Sequence, residues 1–287
     1  MKKFFFPLVC LLLLSTCAKK ETIVDTTSES NTVITGRTCA ADEVLQREIK
    51  ENPARGRFLE DLESRTRNYT SRQNRSAGTL YVGVVVHVVL TNPTLVTDAQ
   101  IQSQIDVLNN DFNAENKELS KPNVYLAGYN RNNVADCDLQ FYISQIIRKQ
   151  TTVTAFSTNN GVKRSNQGGS DAVDSDTKLN IWVCNIGGGI LGYAQFPGGN
   201  TATDGVVINY LSFGTRSTGY SLYEEYDMGR TATHEVGHWF NLRHIWGDRT
   251  CGNDYVDDTP LHDIYIILDA RQKDIPAFAQ AILWNNG

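Results

Sequence analysis

Three of the chain's five histidines fall within one short stretch, His234-Glu235-Val236-Gly237-His238-Trp239-Phe240-Asn241-Leu242-Arg243-His244. No other feature constrains the fold as much. Residues four apart on a helix project from the same face, one turn apart. His234 and His238 can therefore share one tetrahedral zinc ion. Glu235 stands beside them, close enough to reach a water at the metal without ligating it. His244 cannot belong to the same straight helix face, so the chain must turn before it. Asn241 is suited to that turn, because Asn tolerates positive φ better than other non-glycine residues. A bare H-E-x-x-H often arises by chance. A third histidine at this offset, with an Asn at the turning position, is a joint condition that chance rarely meets.

The N-terminus points to export. Lys2 and Lys3 precede an apolar run, Phe4 to Leu14, that is too short to span a bilayer as a helix. It ends in Leu14-Ser15-Thr16-Cys17-Ala18, which is similar to a bacterial lipobox with Cys17 as the lipidated residue; plain cleavage near Ala18 is the alternative. No later segment is apolar enough to cross a membrane, so a lipid on Cys17 would be the only membrane contact. The net charge of −5 and the lack of a Lys/Arg block beyond Lys19-Lys20 argue against nucleic acid as a partner. The expected organisation is a signal segment over 1–17, a tether and pro-segment over 18–75, and a catalytic domain over 76–287. The polar stretch Thr70 to Gly78 marks the second boundary.

Within these limits, Cys39 to Tyr69 reads as two helical pieces broken at Asn52-Pro53. Leu80 to Leu90 is a β-branched run that suits a buried strand. Thr97 to Phe112 is an amphipathic helix with Thr97 as N-cap. Leu139 to Ile147, Leu179 to Cys184, Leu191 to Phe196 and Val206 to Leu211 read as strands, and Met228 to Asn241 as a helix. This alternation predicts an α/β fold, a mixed sheet layered with helices. His87 sits mid-strand and reads as a core residue; His262 has no partner pattern around it. Export favours cysteine pairing. Cys137 and Cys184, each at a strand end, are expected to pair with each other, which leaves Cys251 over if Cys39 serves the zinc.

The stretch from Arg230 to Ile245-Trp246-Gly247-Asp248 resembles the pappalysin (cytophagalysin) family of metzincin metalloproteases. Val84 to Val89 is similar to that family's first strand and Ile101 to Phe112 to its first long helix. Leu191 to Pro197 is similar to its cleft-rim strand, and Asp254 to Pro260 to the segment after the zinc motif. The resemblance spans roughly residues 80–262. It implies a metzincin-type zincin, with a twisted mixed sheet over an active-site helix. It implies Zn2+ held by His234, His238 and His244, with Glu235 as general base in peptide-bond hydrolysis. Asn241 stands where metzincins typically have Gly. The expected protein is a monomeric zinc endopeptidase acting on proteins or peptides, extracellular or anchored at a bacterial cell surface.

Further expectations come from the same resemblance. Asp254, Asp257, Asp258 and Thr259 form a candidate Ca2+ site, with a solvated acidic loop as the alternative. Cys39 is similar to a pro-segment cysteine that ligates the zinc as thiolate and holds the enzyme latent, with a disulfide as the alternative. Activation would then need cleavage near Arg72 or Arg75. Metzincins follow the zinc helix with a Met-containing turn, yet the only methionines here are Met1 and Met228. The stretch 263–287 departs from the family pattern, so a truncated chain with an incomplete C-terminal subdomain is expected. Val236 and Phe240 would lose cover. The alternative function is a catalytically impaired, lipid-anchored surface binding protein derived from such a protease.

Overall fold

The computed structural model describes residues 39–70, 78–117, 135–216, 220–244, 247–248 and 253–256. The signal segment, Cys17 and the tether up to residue 38 lie outside the described residues, as do Arg72, Arg75, Cys251, Asp257, Asp258, Thr259, His262 and the stretch 263–287. No described helix is long and apolar enough to cross a membrane.

A five-stranded sheet organises the rest, in the order β2-β1-β3-β5-β4. The strands are β1 (Leu80–Leu90), β2 (Leu139–Gln150), β3 (Lys178–Cys184), β4 (Gly192–Ala194) and β5 (Val206–Asn209). The pairs β1–β2, β1–β3 and β3–β5 are parallel, and β4 runs antiparallel to β5 at one edge. The centre of the sheet is covered on both faces, which is why β1 and β3 are near-continuous apolar runs. Side chains alternate across the sheet. Val84, Val86, Val88, Ile181, Val183, Val206 and Ile208 share one apolar cluster, while Val89, Trp182, Cys184, Tyr193 and Val207 share another. Each fully buried Val, Leu or Ile among them is worth about 1.5–3 kcal/mol.

Two helices, α3 (Asp98–Phe112) and α4 (Arg230–Trp239), close the first face. Thr97 caps α3 by accepting from the Gln100 amide, and Ile101, Ile105, Leu108 and Phe112 are buried at helical spacing. Segment 151–177 helps close the second face through Phe156 and Val162. The N-terminal pair α1 (Ala41–Glu51) and α2 (Ala54–Thr70) is interrupted at Asn52-Pro53, where the sequence places a breaker. Helix α1 straddles the β4 edge: Ala41 and Leu45 join the first cluster, Ala40 and Val44 the second.

The expected Cys137–Cys184 disulfide is not formed. Cys184 is a free thiol, fully buried in the second cluster, whereas Cys137 packs against the first. The sheet separates them, and strand-end positions in the sequence do not reveal which face a side chain takes. Burial pushes the Cys184 thiol well above its usual range. His87 is buried with Nδ1 on Ser170 Oγ and Nε2 on Asn180 Oδ1, both at 2.9 Å, and its ring stacks on Trp182. Val236 is fully buried rather than uncovered, and Phe240 is 37% exposed.

Candidate metal centre

Helix α4 is placed from both ends. Gly229 takes φ +73° at its N-cap, and Gln104 of α3 donates to the Gly229 carbonyl at 3.0 Å. One turn on, Thr233 donates to Asp111 Oδ2 at 2.7 Å, and Arg230 pairs with the same buried carboxylate. At the far end Trp239 Nε1 donates to Asp204 Oδ2 at 3.2 Å. The residue just before His234 is thus bonded to α3 and the residue just after His238 to a loop beside β5.

The helix stops because Asn241 takes φ +78°. The Asn241 amide bonds to the His238 carbonyl and the Leu242 amide to the Gly237 carbonyl. This double closure is the Schellman motif, with Asn in the position usually given to Gly. The turn sends the chain back, and His244 arrives opposite the two helical histidines.

All three imidazoles present Nε2 to one point. His234 Nε2 and His238 Nε2 each lie 3.2 Å from His244 Nε2. His238 Nδ1 faces the Leu242 carbonyl at 2.8 Å, and His244 Nδ1 faces Asp248 Oδ1. A carbonyl can only accept, so His238 carries its proton on Nδ1 and presents a lone pair at Nε2. The Asp248 carboxylate fixes the same tautomer in His244. Two lone pairs facing each other at such a distance repel unless a cation lies between them. The edge of a tetrahedral zinc site with nitrogen ligands is about 3.3 Å, so the donor set fits zinc. Three imidazole nitrogens at a tetrahedral spacing are also the ligand preferences of that ion.

Cys39 completes the group. Its Sγ lies 3.4 Å from His238 Nε2 and 3.5 Å from Glu235 Oε2. The four ligand atoms of Cys39, His234, His238 and His244 all fall within 4.8 Å of one another. Cys39 is held there by the β4 edge, through a parallel bridge to Gly192 and an Ala40 amide bond of 3.1 Å to the Gly192 carbonyl. Glu235 is 1% exposed and stands against the same glycine, where a Cβ would meet its Cγ at 2.8 Å. Only glycine lets the rim strand lie this close to the carboxylate.

Of the acidic group after the histidines, Asp254 is described; it is buried and accepts from the Val256 amide at 3.1 Å. Gly192, Asp111 and Asp248 have no role in the sequence-based expectations. Asp248 carried a usable signal, since it follows His244 at the same four-residue offset that separates His234 from His238. Asp111 and Gly192 carried none, because their proximity is set by packing.

Residues 164–287 match the Peptidase_M43 family, described as pregnancy-associated plasma protein-A. An extracellular metalloprotease of Verticillium alfalfae is 28% identical over 187 residues, covering 63% of this chain and 58% of that protein. Another, from Arthroderma benhamiae, is 27% identical over 202 residues, covering 67% of this chain and 58% of that protein. The chain therefore spans little more than half the length of these curated relatives. A Tannerella forsythia promirolysin mutant superposes with a TM-score of 0.71 at 34% identity, over 86% of each chain. Mature mirolysin of the same organism, in complex with a cleaved peptide, gives a TM-score of 0.61 at 42% identity, over 66% of this chain and 74% of that one.

Proposed function

The chain belongs to the pappalysin family of metalloproteases, and from that premise we propose that it is an exported zinc-dependent endopeptidase held latent by its own N-terminal segment. The observation that carries this reading is the convergence of three histidine Nε2 atoms and the Cys39 sulfur on one point beside Glu235. Zinc held there supplies Lewis acidity, polarising a peptide carbonyl and making water acidic enough to lose a proton near neutral pH.

The chain's own groups do the rest. The outer edge of β4 offers backbone donors and acceptors to an extended peptide. Glu235, at the level of Gly192, takes a proton from the attacking water and passes it to the leaving amine. Cys39 supports the latency reading, since a thiolate is a strong zinc ligand and Cys39-Ala40 fills the edge that a substrate would use. Mature mirolysin, with its cleaved peptide, supports a peptide substrate. The relatives' extracellular naming agrees with the signal-like residues 1–17.

The test combines metal content with cleavage. The purified chain is expected to hold one zinc and, after processing, to cleave a denatured protein. Glu235→Gln should retain the zinc while cleavage falls by about 10²–10⁴-fold, the usual worth of a general base. Cys39→Ala should shorten the lag before activity. Full metal loading with no cleavage by any form would favour the binding-protein alternative, and undiminished turnover in Glu235→Gln would remove that residue from the mechanism.

A further inference from the structure

The segment that carries Cys39 also bridges the two lips of the cleft. At the rim lip, Arg55 of α2 donates to the carbonyls of Phe196 and Pro197 at 2.5 and 2.6 Å. Phe58 lies so close to Gly198 that a Cβ there would come within 2.2 Å of its ring. At the opposite lip, Glu63 accepts from Asn241 Nδ2 at 2.8 Å and faces Arg243 Nε at 3.7 Å. Asn241 and Arg243 belong to the turn between His238 and His244. Glu63 is 8% exposed on a helix that is otherwise largely polar and open to solvent. A carboxylate is buried in this way only where donors meet it.

Those donors keep their positions for reasons independent of Glu63. The Asn241 backbone is set by the helix-ending turn, at φ +78°. The Arg243 guanidinium lies over the rings of Phe196 and Tyr255, at 5.7 and 5.2 Å from their centroids. Cation–π contacts of this kind hold a planar guanidinium ready for an anion. Phe196 in turn packs on the His238 ring, with centroids 5.1 Å apart. Arg243 is therefore one side chain away from the metal ligands, inside the cleft.

We propose that Asn241 and Arg243 form a carboxylate-binding subsite, filled by Glu63 while α2 crosses the cleft and open to an acidic substrate side chain once α2 has left. The substrate half of this rests on the peptidase reading above; the carboxylate site does not. Strand β4 runs from Gly192 towards Phe196, and Gly192 marks the level of Glu235. A peptide added antiparallel to β4 has its N-terminal residues at the Phe196 end. The acidic residue thus sits on the N-terminal side of the bond that is cut.

Two measurements test this. In the full chain, Glu63→Ala removes the carboxylate and leaves both donors facing a small gap. Acetate should raise the melting temperature of Glu63→Ala beyond what chloride does at equal ionic strength. It should not do so for wild type or for Glu63→Ala/Arg243→Gln. In the second measurement, the chain after its own maturation is given peptides that differ only by Glu, Gln or Lys at each position flanking the scissile bond. Glu should exceed Lys in kcat/KM by roughly tenfold at an N-terminal-side position, the size of one charge-assisted contact. Arg243→Glu should invert that preference. Equal responses to acetate and chloride would overturn the site, and an unchanged Glu-to-Lys ratio in Arg243→Glu would overturn its role in substrate choice. Acetate rescue with no peptide cut at all would sink the peptidase reading and leave the carboxylate site standing.

Discussion

The imidazole of His244 owes its orientation to Asp248, four residues further on, and Asp248 itself sits at φ +54° so that its carboxylate can turn back. Hydrogen bonds of this kind fix the tautomer and sharpen the basicity of a ligand. Asp248→Asn should therefore weaken zinc binding by about 10–100-fold with the fold intact. A chelator competition titration reads this directly, and an unchanged zinc affinity would show that His244 is positioned by packing alone. Gly192 offers a second test at the same scale. Gly192→Val would drive a side chain into Glu235, so turnover should collapse while bound zinc stays near one per chain. Normal turnover in that variant would mean that the rim strand yields easily. His234, Glu235 and His238 stood out in the sequence as a candidate set because their spacing is helical, and His244 because Asn241 marks the turn before it. Gly192 did not, because its contact with Glu235 joins β4 to α4 across the cleft.

Among the elements, α4 depends most on its neighbours. It begins at Arg230, two residues later than its apolar pattern suggests, because Met228 bridges to Thr215 and Gly229 takes a left-handed conformation. The rim strand is likewise shorter than its pattern, Gly192–Ala194 rather than Leu191 to Phe196. Beyond each end one more bond follows the β4–β5 register, the Gln195 amide donating to the Gly205 carbonyl and the Asn209 amide to the Leu191 carbonyl. The tie between α3 and α4 is the buried carboxylate of Asp111, which meets Arg230, Thr233 and Asn116. Asp111→Ala leaves Arg230 buried without that partner, a change that typically costs about 3–5 kcal/mol. Denaturant unfolding should show the loss, together with weaker metal retention because Thr233 adjoins His234. A drop below about 1 kcal/mol, the worth of an exposed pair, would show that solvent reaches this site.

At the scale of the whole molecule, the sheet's second face holds a buried lysine. Lys163 donates to the carbonyls of Thr203 and Gly205 at 2.6 and 3.4 Å and lies over the rings of Trp182 and Tyr193. Burial lowers its pKa to about 7, against the opposing pull of Asp204 and Glu48. Between that value and the ordinary 10.5, the unfolded chain binds a proton that the folded chain has released. Stability contributed by this group therefore rises with pH across that window and is lost as pH falls through about 7. Wild type should gain on Lys163→Met when denaturation midpoints at neutral and at alkaline pH are compared. A pH-independent difference would mean that Lys163 titrates near its ordinary value.

The sequence by itself determined the parts of this protein whose causes are local. The four-residue spacing of His234 and His238, the Asn at the turning position, the Thr97 cap and the breaker at Asn52-Pro53 each act through neighbours in the chain, so their effects can be read residue by residue. The apolar runs of β1 and β3 announced a sheet covered on both faces for the same reason. Only the tertiary structure decided which sheet face Cys184 takes and that Gly192 must lie beside Glu235. It also decided that Asp111 anchors the metal helix and that Glu63 reaches Asn241 and Arg243 from far along the chain. Those pairings depend on how helices and strands pack, and packing brings together residues whose separation in sequence carries no trace of the contact.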